Sequence, residues 1–149
     1  MPFQLCYAST TTGEMHRDDL LDLLAYARKR NAADGVTGLL LFQDGHFLQV
    51  LEGDPGPVRA AFKRICDDQR HTKIVVLFQE LVSERQYPDW SMGFQVLDGN
   101  EFMEFPNEDG AEADLRAMAS TMGRAKELLL YVRKQGLDPA KDVDSYLDD

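Results

Sequence analysis

Val36-Thr37-Gly38-Leu39-Leu40-Leu41-Phe42-Gln43-Asp44-Gly45-His46-Phe47-Leu48-Gln49-Val50-Leu51-Glu52 reads as two strands joined by a tight turn. Residues 36–42 form a near-continuous apolar run, broken only by Thr37 and Gly38, as a buried strand requires. Asp44-Gly45 is the strongest short hairpin signal in the chain, because a two-residue turn needs residues that accept positive φ. Residues 46–52 are then the returning strand.

Working outward, Phe3, Leu5 and Tyr7 alternate with Gln4 and Cys6, a strand period. Residues 18–30 carry Leu20, Leu23, Leu24 and Ala27 on one helical stripe. Asp18, Asp19 and Asp22 lie near its start and Arg28, Lys29 and Arg30 near its end, matching the helix dipole. Gly53-Asp54-Pro55-Gly56-Pro57 makes a turn and helix entry, and Val58, Ala61, Phe62 and Ile65 mark a second amphipathic helix. Residues 74–80 and 93–97 read as further strands, with a loop at 83–91. The order β-α-β-β-α-β-β predicts an α+β, ferredoxin-like sheet with both helices on one face.

After about residue 97 the texture changes. An acidic, turn-rich stretch leads to Leu115, Met118, Met122, Ala125, Leu129 and Val132, a heptad-type seam. Gly136 is its expected stop, and Asp138-Pro139 opens a short final helix. We expect a domain at 1–97 and a helical extension at 98–149, packed on the other sheet face or also meeting another chain.

The 149 residues carry a formal net charge of -10. That argues against nucleic acid or an anionic membrane surface as partner. No apolar run reaches the roughly 18 residues of a membrane span, and no signal peptide is visible, so a cytoplasmic location is expected. Cys6 and Cys66, the two cysteines, are expected to be buried free thiols, too few for a disulfide framework or a zinc site. No metal ligands are indicated.

Two polar side chains interrupt apolar strand faces. Gln49 shares a face with Phe47 and Leu51, and Tyr7 follows Phe3 and Leu5. Gln49 is either an edge glutamine or an amide turned toward a ligand. Tyr7 is either a core tyrosine or part of the same site. Their strands are neighbours in a ferredoxin-like sheet, so the two side chains can stand together. Asn31 after the first helix and Arg70-His71 after the second can converge on the same slot. Residue pattern alone stops at a polar-lined cleft.

The chain resembles the BLUF family, blue-light sensors using flavin. The resemblance rests on Leu5-Cys6-Tyr7-Ala8-Ser9, on the stretch from Asn31 to Leu41, and on Asp44 to Gly53. Asp67-Asp68-Gln69-Arg70-His71 and Trp90-Ser91-Met92-Gly93-Phe94 complete it. It implies that the two helices flank the flavin, with Tyr7 as electron donor and Gln49 between that tyrosine and the flavin. Asn31 matches an asparagine at the ring's polar edge. Arg64, Asp68, Arg70 and His71 match ribityl and phosphate contacts, and Met92 and Trp90 match a pair on the last strand whose position near the glutamine is debated, so that Trp90 is either part of the switch or a packing anchor. Many relatives have two asparagines where this chain has Arg30-Asn31, so Arg30 either stays solvated or reaches the cofactor.

The implied function is a photoreceptor and not an enzyme. Proton-coupled electron transfer from Tyr7 to excited flavin is followed by rotation or tautomerisation of Gln49. The flavin is expected to be FAD, with FMN and riboflavin as alternatives. Signalling is expected through a separate protein effector or a change of homo-oligomer, a dimer or larger. The competing readings are a flavin-binding interaction module without a photocycle and a small ferredoxin-like hydrolase, for which no nucleophile–base signature appears.

Overall fold

The computed structural model describes residues 1–97 and 115–137; at 115–122 and 124 it describes the backbone alone. The elements are β1 (Phe3–Thr11), α1 (Arg17–Asp34), β2 (Thr37–Gln43), β3 (His46–Gly53), α2 (Pro55–Asp67), β4 (His71–Leu81), β5 (Gly93–Val96) and α3 (Leu115–Gln135). One five-stranded sheet has the order β4-β1-β3-β2-β5. β1 runs antiparallel to β3 and β4, β2 antiparallel to β3, and β5 parallel to β2. This is the expected ferredoxin-like arrangement, extended by β5. Asp44 and Gly45 both take positive φ, 48° and 81°, as a type I′ hairpin turn demands.

Strand alternation sorts the core into two layers. Phe3, Leu5, Tyr7, Leu40, Phe42, Phe47 and Leu51 face α1 and α2, where they meet Leu20, Leu24, Val58 and Ala61. Cys6, Ala8, Leu39, Leu41, Leu48 and Val50 face the other way and meet Ala125, Leu129 and Val132 of α3. The predicted seam therefore packs on the far face over its second half. Gly136, at φ 82° with its N–H on the Val132 carbonyl at 2.8 Å, ends the helix as expected. The side chains of Leu115, Met118 and Met122, and the helix expected at Asp138-Pro139, lie outside the described residues.

Two local expectations are corrected. α1 runs on to Asp34 and stops at Gly35, at φ 69°, so Asn31 sits inside the helix rather than after it, and Arg28, Lys29 and Arg30 do not occupy its last turn. Helix propensity carries through Asn31-Ala32-Ala33-Asp34 until a left-handed residue is needed. Cys66 is exposed; only Cys6 is buried. Gly38 is confined sterically: a Cβ there would lie 2.0 Å from the Val50 carbonyl oxygen.

Candidate functional site

A cleft open to solvent lies between α1 and α2 over the centre of the sheet. Its floor comes from β1, β2 and β3 through Tyr7, Leu40, Phe47, Gln49 and Leu51. Register makes Tyr7 and Gln49 direct cross-strand partners, so their side chains rise side by side. Tyr7 is 2% exposed and Gln49 4%. The Tyr7 hydroxyl donates to Gln49 Oε1. At the other end of the amide, Nε2 donates to Met92 Sδ at 3.3 Å.

That line of three groups has a direction. A thioether sulfur only accepts, whereas a phenol can donate or accept. An amide turned end for end would set Oε1 against sulfur, acceptor facing acceptor. Met92 therefore favours the observed orientation. Burial pushes the Tyr7 phenol well above its ordinary pKa, so it is held as a protonated donor. Phe62 packs against its ring, with centroids 5.5 Å apart.

The polar wall follows. Asn31, buried at the cleft edge, donates its Nδ2 to the Ser91 carbonyl at 2.9 Å and keeps Oδ1 as a further acceptor. Arg64 pairs with Asp34 at 3.3 Å, joining the two helices that wall the cleft. Arg70 grips Asp68 through Nε and Nη2, at 3.0 and 2.7 Å. This hydrogen bonding lowers the Asp68 carboxyl below its usual range and raises the Arg70 guanidinium. His71 Nε2 lies 2.9 Å from the Ile65 carbonyl, which can only accept, so Nε2 carries the proton and Nδ1 accepts from Ser9 Oγ at 3.1 Å. Burial lowers the His71 pKa and keeps the ring neutral. Arg30, on the exposed side of α1, lines the cleft without a carboxylate partner among the described residues.

All eight residues expected to contact the cofactor, Tyr7, Arg30, Asn31, Gln49, Arg64, Asp68, Arg70 and His71, line this one cleft. The expected photoactive pair is divided. Met92 touches Gln49, but Trp90 packs in the far-face layer against Tyr87, centroids 6.0 Å apart. The reason is local: β5 begins at Gly93, so Trp90-Ser91-Met92 is a bend and strand parity does not hold across it.

Two features escaped the sequence reading. Arg28 donates Nε to the Met92 carbonyl at 2.9 Å. In sequence it looked like a dipole-matching surface charge, and no pattern marked it otherwise. Glu52, 0% exposed, accepts from Gln4 Nε2 and from the backbone N–H groups of Gln86 and Tyr87 at 2.7–2.9 Å. Its place in the alternation, on the far apolar face beside Val50, was the available signal.

An apolar floor, an amide and a phenol on one side, and paired charges toward the mouth suit a flat aromatic ring with one polar edge and an anionic tail. A flavin nucleotide has that chemistry. Among the described residues no group of acidic, histidine and cysteine side chains could hold a metal ion, and no helix is long and apolar enough to cross a membrane.

Comparison with known proteins agrees with this geometry. A family model described as BLUF, sensors of blue-light using FAD, matches residues 3–93. Photoactivated adenylate cyclase subunit beta of Euglena longa is 37% identical over 89 residues, 59% of this chain and 10% of that protein. The blue light- and temperature-regulated antirepressor BluF of Escherichia coli (strain K12) is 38% identical over 66 residues, 44% of this chain and 16% of that protein. The chain thus spans a small part of the length of these curated relatives. Among solved structures, the photo-activated state of BlsA superposes with a TM-score of 0.71 at 28% identity, covering 93% of this chain and 99% of that one. The dark state of BlrB, a BLUF protein, gives 0.62 at 32% identity, covering 64% and 72%.

Proposed function

This chain belongs to the BLUF family of flavin-using blue-light sensors, and from that premise we propose that its switch is the Gln49 amide held between Tyr7 and Met92. One observation carries the proposal: a buried amide whose acceptor end meets a phenol and whose donor end meets a sulfur, in the floor of the cleft between α1 and α2. A bound flavin would supply the light absorption and the oxidising power of its excited state. The rest falls to side chains. The Tyr7 hydroxyl would give its proton to Gln49 Oε1 while Nε2 gives up one of its own toward the ring, so that electron and proton leave Tyr7 together and return together. Gln49 then rotates or changes tautomer and exchanges its donor and acceptor ends. Asn31 and Arg30 would hold the ring edge. Arg64, Asp68, Arg70 and His71 would hold the tail. FAD is the proposed flavin, supported by the family description, with FMN and riboflavin as the competing occupants.

We assign residues 1–97 to sensing and 98–149 to output, and assign the chain no enzymatic step of its own. Output through α3 is supported by Arg133, which donates to the Gln86 carbonyl in the loop leading to Met92. The effector we propose is a separate protein or a second copy of the chain; in the photoactivated cyclase that this chain resembles, the matching stretch is a small part of a longer chain. A cytoplasmic location is in keeping with two unpaired cysteines. The test is a light-minus-dark spectrum of the purified protein, with the released flavin identified. A red shift that reverses in darkness is expected. Bound flavin with an unchanged spectrum would make the chain a flavin-binding interaction module, and a colourless protein would remove the flavin reading.

A further inference from the structure

Met92 reaches Gln49 from outside the sheet, since β5 starts one residue later. Something other than strand pairing must fix where its sulfur lies. Three consecutive carbonyls of this segment are each held from another element. Gly38 N–H donates to the Trp90 carbonyl at 2.9 Å. Asn31 Nδ2 donates to that of Ser91 at 2.9 Å. Arg28 Nε donates to that of Met92, also at 2.9 Å. The last bond joins residues 64 apart in sequence and comes from the middle of α1, not from its C-terminal turn. A solvated helix-end charge has no such partner.

We infer that Arg28 is a positioning residue: with Asn31 it clamps the Ser91-Met92 backbone to α1, keeps Met92 Sδ against Gln49 Nε2, and so sets the lifetime of the switched state. The inference deepens the amide-switch reading and rests on it. Arg28 does not line the cleft, whereas Asn31 does. Arg28 therefore acts on the switch through Met92 alone, and its replacement leaves flavin contacts in place. The clamp favours the resting amide orientation, because it presents an acceptor to Nε2. Its loss narrows the preference for that orientation and slows the return to it.

Arg28→Met keeps the aliphatic stem and removes the donor. In the flavin-loaded protein two readings follow: hydrogen exchange at the Gly38 amide, which reports attachment of the segment, and the dark recovery of the light-induced shift. Exchange at Gly38 is expected to quicken and recovery to slow, each by roughly three- to tenfold, the factor set by one net hydrogen bond. Flavin affinity is expected to stay within about twofold, the range of a surface substitution without partners. Arg28→Lys, which retains a cationic donor, is expected to bring both readings back toward wild type, while Lys29→Met leaves them unchanged. Unchanged Gly38 exchange in Arg28→Met overturns the clamp. Faster exchange with unchanged recovery makes Arg28 merely structural and overturns the positioning role. A wild-type protein without any light-induced shift sinks the amide switch instead, and Gly38 exchange still judges the clamp.

Discussion

Tyr7→Phe and Gln49→Leu should each destabilise the fold more than the two together would suggest. Tyr7→Phe keeps the ring that packs on Phe62 and removes the hydroxyl, leaving Gln49 Oε1 buried without its donor. Gln49→Leu leaves the Tyr7 hydroxyl buried without its acceptor. Tyr7 is 2% exposed and Gln49 4%, so water replaces neither partner. An orphaned buried group costs about 1–3 kcal/mol, whereas removing both partners of a bond in favour of similarly shaped apolar groups is close to neutral. The singles together should cost about 4 kcal/mol and the double about 1–2, a coupling of about 2–3 kcal/mol, within the range for contacting residues. The assay is urea denaturation in the dark at one flavin concentration. Each variant's flavin affinity is measured separately, so that the ligand's contribution to stability can be subtracted. Additivity, with the double variant as costly as the sum of the singles, would show that the phenol and the amide are not mutual partners and would refute the site geometry. All three variants should also lose the light-induced shift.

Three other predictions concern the surroundings. Burial lowers the His71 pKa from its ordinary 6.5, so below pH 6.5 the unfolded chain binds the extra proton and the folded chain resists it. Stability tied to His71 is full above that pH and is lost as pH falls through the window beneath it. The stability gap between wild type and His71→Gln, followed from pH 7.5 to 5, should narrow, and a constant gap would contradict a buried neutral ring. Glu52→Ala strips the acceptor from Gln4, Gln86 and Tyr87 and should cost about 2–4 kcal/mol, with faster hydrogen exchange at the Gln86 and Tyr87 amides. Retained protection at both would mean that the loop is held elsewhere. Deleting residues 98–149 bares the layer of Cys6, Leu39, Leu41, Leu48 and Val50 that Ala125, Leu129 and Val132 cover. The cleft lies on the opposite face, so the truncated protein should bind flavin and respond to light yet self-associate in sedimentation. Loss of flavin binding would show that the extension belongs to the sensing domain.

Residue pattern went furthest where one rule governs many positions. Alternation in β1 and β3, together with the ferredoxin-like strand order, was enough to bring Tyr7 and Gln49 to one face of adjacent strands. The same patterns left the meaning of both residues open, since a period of two reports a face and not its contents. The resemblance to flavin sensors then named the eight cleft residues. It did not separate Met92 from Trp90. Two residues at a spacing of two share a face only in extended backbone, and the bend before Gly93 breaks that relation.

By itself, then, residue pattern determined the order of elements, the two-layered sheet and the shared face of Tyr7 and Gln49, because these depend on short-range periodicity, while the class of ligand came from the resemblance to flavin sensors. Only tertiary structure decided which way the Gln49 amide points, that Met92 rather than Trp90 receives its N–H, that Arg28 grips the Met92 carbonyl, and that Glu52 anchors the loop at Gln86 and Tyr87. Each of these is a directional bond between groups far apart in the chain. Its length and angle depend on how helices, bends and sheet pack together, and no local pattern records that.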